Sequence, residues 1–165
     1  MFGQIKRVCP KKLLFIFLIL VAFGSAPTVI FSFQSSPATE EQRINVETQK
    51  RIKLASVQHD LILALIDNKS FDQVESEWRK VLDLRLGAKF EGQIADSLLL
   101  IAYNLSEAKQ MPLALKIIDQ SLSTVPFSNK SKADIFTLKA HIYVELGDSE
   151  NAIKAYQTAR DLLNK

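Results

Sequence analysis

The sequence predicts an all-α protein, with an N-terminal membrane-spanning helix followed by a solenoid of helical hairpins. Three observations carry that prediction. Gly and Pro together number ten of 165 residues, about half their usual share, which suits long helices and leaves a strand-rich fold short of turns. Residues 13–33 form one uncharged apolar run. From Glu40 onward, apolar residues recur at helical spacing nearly to the end, punctuated by helix start and stop signals.

Residues 1–12 are a basic flank, in which Lys6, Arg7, Lys11 and Lys12 precede the first acid, Glu40. The apolar run LLFIFLILVAFGSAPTVIFSF follows, 21 residues long. At about 1.5 Å per residue it reaches roughly 31 Å, the thickness of a bilayer's hydrocarbon core. Positive flanks stay in the cytoplasm, so the expected topology is single-pass with a cytoplasmic N-terminus. The body is then extracytoplasmic, or periplasmic in a bacterium. A cleaved signal peptide is the competing reading. Its apolar region is normally about 7–15 residues, shorter than this one. Pro27 directly follows Ala26, and a second possible site, Ser36-Pro37-Ala38, is reached only after the full apolar stretch.

The net charge of +3 arises from the basic flank, and the rest of the chain is close to neutral. No basic field is left for a phosphate backbone, so nucleic acid is not an expected partner. The single cysteine, Cys9, lies before the span. It is a palmitoylation candidate or an incidental thiol. A body without cysteine has no disulfide, metal thiolate or thiol nucleophile.

A polar linker, residues 34–39, leads into the domain at 40–165. The first predicted helix runs from Glu40 to Asp67. Ser70 with Gln73 three residues on has the form of a capping box for the second, which is expected to run to Leu86 and stop at Gly87. A third covers Glu91 to Lys109. Pro112 fits the first turn of a fourth, and Pro126 follows its end. The fifth is expected over Lys132 to Leu146, ending at Gly147, and Asp148 caps a sixth over Ser149 to Leu163.

The helices form three antiparallel pairs with recurring positions. The last pair carries Phe136, Ala140 and Tyr143, a Leu146-Gly147-Asp148 turn, then Ala152, Tyr156 and Ala159. The middle pair has Leu98, Ala102, Leu105, Ala114, Ile118, Ser121 and a closing Pro126, while the first keeps only Val74, Trp78 and Val81. This pattern closely resembles the tetratricopeptide (TPR) repeat, here in about three copies. Val74, Ala114 and Ala152 are 40 and 38 residues apart, against about 34 in a standard repeat. Insertions are therefore expected around Gly87 to Gly92 and Phe127 to Lys130. In this register Ala102, Ala114, Ala140 and Ala152 admit close helix approach, while Trp78, Ile118, Tyr143 and Tyr156 fill the space between successive helices.

The TPR resemblance implies a concave groove, built by the first helix of each pair, that binds peptides or protein surfaces. Two stripes at spacings of three and four would line it: Asp96, Leu99, Tyr103 and Glu107, and Asp134, Thr137, His141 and Glu145. Tyr103 and Leu99 are the expected anchors. These stripes depart from the Lys, Arg and Asn set with which cytosolic TPR cochaperones grip a terminal carboxylate.

No catalytic, cofactor-binding or metal site is expected. The sequence has no Walker loop, no Gly-x-Gly-x-x-Gly and no His-Glu-x-x-His. His59 and His141 fall in different pairs without a ligand cluster. Gly147-Asp148-Ser149 resembles an esterase nucleophile element, but Asp161 is followed by Leu162, Leu163 and Asn164 rather than by the required histidine. The expected function is a membrane-anchored TPR adaptor or scaffold that binds a protein partner in assembling or regulating a membrane or envelope complex. The layout is similar to that of bacterial single-pass proteins with a periplasmic TPR body. The alternatives are a structural accessory subunit of a multisubunit membrane complex, or a secreted periplasmic TPR protein if the segment is cleaved.

Overall fold

A computed structural model describes residues 40–165. The basic flank, the apolar segment 13–33 and the linker 34–39 lie outside the described residues. Among the described residues, no helix is long and apolar enough to cross a membrane. They form six α-helices and no strand: α1 (Glu40–Asp67), α2 (Phe71–Asp83), α3 (Glu91–Glu107), α4 (Met111–Thr124), α5 (Asn129–Glu145) and α6 (Ser149–Leu163), with a single 3₁₀ turn at Ala88–Phe90. Consecutive helices pair as hairpins, α1 with α2, α3 with α4 and α5 with α6. The hairpins then stack so that α3 lies against both α1 and α5, and α4 lies against α2 and α5.

One turn is used three times. Lys69, Lys109 and Gly147 each adopt a left-handed backbone, with φ of 60°, 62° and 74°. In each turn that residue's N–H reaches a carbonyl three residues back, and the next N–H reaches one five back. The pairs are Lys69 to Ile66 with Ser70 to Leu65, Lys109 to Ser106 with Gln110 to Leu105, and Gly147 to Val144 with Asp148 to Tyr143. These paired bonds satisfy carbonyls that the helix end would otherwise leave open, and they reverse the chain for the next helix.

Several boundaries differ from expectation for local reasons. The second helix stops at Asp83 rather than Leu86, because Arg85 at φ 46° and Gly87 at φ 85° turn the chain out of helical geometry. The fifth helix starts at Asn129, earlier than Lys132, because the Ser128 hydroxyl oxygen accepts from the Ser131 N–H at 3.2 Å. The Ser70 capping box does not form. The Ser70 side chain makes no cap hydrogen bond, and the Gln73 N–H bonds instead to the Ser70 carbonyl at 3.3 Å. Asp148 does cap α6, its Oδ1 accepting from the Asn151 N–H at 3.1 Å. Hydrogen bonds from the Asn151 side chain and backbone hold its carboxyl below the ordinary carboxylate range.

The core lies between the first four helices and the inner face of α5. Trp78, Ile62, Leu98, Ile101, Leu105, Ile117, Ile118, Ile135 and Ile142 are fully buried there. The Trp78 indole N–H donates to the Ser121 hydroxyl at 2.9 Å, and that hydroxyl donates to the Ile117 carbonyl at 2.8 Å, so neither buried polar group is stranded. Of the residues expected between helices, Trp78 and Ile118 are buried as predicted. Tyr156 is not, at 39% exposed; among the described residues α6 packs on α5 alone.

Candidate functional site

The first helices of the hairpins lie side by side, and a cleft opens between α1 and α3. Ile52, Ala55, Ser56 and His59 line it from α1, and Gln93, Asp96, Ser97 and Leu100 line it from α3. Both sets repeat at the spacing that puts residues on one helix face. Val81, Leu86, Phe90 and Ile94 complete a largely apolar lining around a volume of about 430 Å³. Asp96 is the only acidic residue in that lining, and no lysine or arginine joins it. The 3₁₀ turn that carries Phe90 falls within the first expected insertion, so the extra residues of that joint help wall the cleft.

His59 Nδ1 and Ser97 Oγ share a hydrogen bond of 2.6 Å across the cleft. A serine beside a histidine has the outward form of a nucleophile and its base. Ser97 sits inside α3, however, where backbone N–H groups are committed to the helix ladder rather than aimed at a developing oxyanion. What this hydrogen bond does in the fold is join α1 to α3. Among the described residues, no group of three or more His, Cys, Asp or Glu is placed to hold a metal ion.

The two predicted stripes occupy different surroundings. On α3, Asp96, Tyr103 and Glu107 are exposed, with Tyr103 at 53%. Leu99 is half-buried and packs against the core, so it serves the fold as much as the surface. Leu100, one position on, is 45% exposed and lines the cleft. On α5, Asp134 is exposed, and half-buried Thr137 donates to its own helix at the Ala133 carbonyl, 2.8 Å away. Exposed His141 meets Tyr156 of α6 edge-on, with ring centroids 5.7 Å apart and its Nδ1 3.4 Å from the phenol oxygen. Glu145 reaches back to α3, accepting from the Ser106 hydroxyl at 3.3 Å and lying 4.0 Å from the Lys109 ammonium.

Of the α3 stripe, the structure therefore brings Asp96 alone into the cleft lining, while His141 and Glu145 tie the α5 stripe to α6 and α3. At the opposite end of α3, Glu91 links the same two helices by accepting from the Ser128 N–H at 3.2 Å. Burial opposes ionisation of Glu91, but hydrogen bonds from Ser131 and Ser128 outweigh it and hold the carboxyl below its ordinary range. The surface so framed is mixed in character, with exposed acids beside apolar anchors and a cleft deep enough for a side chain. Such a surface suits recognition of a protein segment. Sequence reasoning missed Ile52, Ser56, His59 and Leu100. The only signal for them was the matching spacing of 52, 55–56, 59 and 93, 96–97, 100 on two helices not known to be neighbours.

Comparison of the chain with family models, with curated proteins and with solved structures finds no match.

Proposed function

We propose that this chain is a membrane-tethered TPR-type adaptor that binds a protein segment along the face shared by α1, α3 and α5. The observation that carries this reading is the apolar α1–α3 cleft, open beside exposed Tyr103 and Leu100. Buried area is the main source of affinity in segment recognition, and a preformed cleft supplies it without reorganisation. The three equivalent turns, 40 and 38 residues apart at Lys69, Lys109 and Gly147, support a repeated hairpin as the unit. Residues 13–33 serve as the anchor, which keeps the body extracytoplasmic and its partners those of a membrane or envelope complex.

The test is the full-length Tyr103→Ala, Leu100→Ala variant, extracted in detergent and assayed for partner capture beside wild type. Both residues are largely exposed, so helical content and melting temperature should be unchanged while capture falls. Undiminished capture would move the interface off this face. Resistance of the membrane-bound protein to carbonate washing supports the anchor, whereas recovery of a mature form starting near Thr39 would replace it with a signal peptide.

A further inference from the structure

Among the described residues, α1 forms the outer edge of the stack. It packs on α2 and α3, while another side faces solvent and carries Leu54, Val57 and Leu61 at 52%, 57% and 43% exposure. Exposed Ala64 continues the row. These residues follow one another at intervals of three and four, which draws a straight apolar seam along the helix. End units of stacked helical proteins ordinarily turn a polar face outward. Lys53 and Asp60 flank the seam on one side, both exposed, and neither is in a salt bridge among the described residues.

We propose that the seam is covered by a second copy of this chain, with the two α1 helices packed antiparallel about a two-fold axis. Leu54 of each copy then meets Val57 of the other, and Lys53 of each faces Asp60 of the other. The aliphatic stem of Lys50 lies over Leu61 of the second copy with its ammonium free to reach water. Charge selects this register. A parallel pair would set Glu47 against Glu47 and Lys50 against Lys50 along the seam, and would leave Lys53 facing Gln58. Like charges so placed disfavour that arrangement, whereas the antiparallel one pairs opposite charges twice by symmetry. The cleft residues Ile52, Ala55 and His59 lie on the other side of α1, so the dimer leaves the cleft open.

The experiment sizes the full chain in detergent and compares variants. Wild type should be dimeric, and Val57→Glu should be monomeric with an unchanged melting temperature. Lys53→Glu should weaken the dimer by about tenfold, through like charge against Asp60, and Lys53→Glu with Asp60→Lys should restore it. In a Cys9→Ser background, copies with Leu54→Cys mixed with copies with Val57→Cys should form a mixed disulfide on mild oxidation. A monomeric wild type, a dimer that survives Val57→Glu, or a charge exchange that fails to restore association overturns the proposal.

Discussion

The first two hairpins and the last are closed by the same turn but held by different means. Between α1, α2, α3 and α4 the contacts are made by large side chains, with Trp78, Ile62, Leu98 and Ile118 fully buried. Between α5 and α6 the buried residues are alanines: Ala133 and Ala140 on one helix, Ala152, Ala155 and Ala159 on the other. Small side chains let two backbones approach, so that close contact replaces side-chain volume. α6 has less apolar burial as a result, since among the described residues it packs on α5 alone and its buried side chains are all alanine. α5 belongs to both regimes, offering Ile135 and Ile142 to the core and its alanines to α6. One hairpin motif is thus sensitive to truncation where large side chains fill it and to enlargement where alanines do.

Trp78→Ala should show the largest effect, destabilising the protein by about 3–5 kcal/mol in chemical denaturation, since it empties a fully buried site. Ala140→Leu reverses the chemistry. A larger side chain at a closely packed alanine should cost about 1–3 kcal/mol in the same assay. If Ala140→Leu were neutral, the two hairpins would not differ in the way described.

The turns offer a smaller contrast. Lys109 holds a left-handed backbone at φ 62° where the third hairpin has Gly147. Lys109→Gly should raise stability by about 0.5–1 kcal/mol by relieving Cβ crowding, and Gly147→Lys should lower the melting temperature.

A pH effect separates the regions further. The Glu75 carboxyl on α2 is held down at about 2, first by hydrogen bonding to Lys116 of α4, then to Gln120; the Lys116 ammonium lies 2.6 Å away. A folded-state value below the unfolded one means stability that is complete above the ordinary value of 4.5 and is lost as pH falls toward 2. Melting measured across that interval should fall less steeply in Glu75→Gln than in wild type. An identical slope would remove Glu75 from the link between α2 and α4.

Much of the fold was legible in the sequence because helical periodicity and turn residues act locally. Glu40–Asp67 and Ser149–Leu163 match their expected bounds, and Ala102, Ala114, Ala140 and Ala152 are all buried where the repeat register places them. Periodicity assigns residues to faces but does not say which distant helix a face meets. Leu99 and Leu100 are equally apolar neighbours, and only the positions of α1 and the core decide that Leu99 packs inward while Leu100 opens onto the cleft. His59 could not be paired with Ser97, 38 residues away, until α1 and α3 were seen side by side. Tyr156 was misplaced for a related reason. Its pattern position is an interior one, but among the described residues α6 packs on α5 alone.

The contrast reaches the face proposed for binding as well. The α3 stripe stands on the large-side-chain core, while the α5 stripe shares its helix with the alanine interface. The α3 half is therefore expected to be rigid and the α5 half compliant. Native-state hydrogen exchange, followed residue by residue as denaturant is raised, tests this most directly. Amides of α6 should exchange through an opening of lower free energy than those of α3 and α4, which should exchange only with global unfolding. Exchange of α6 in step with α3 and α4 at every denaturant concentration would contradict it.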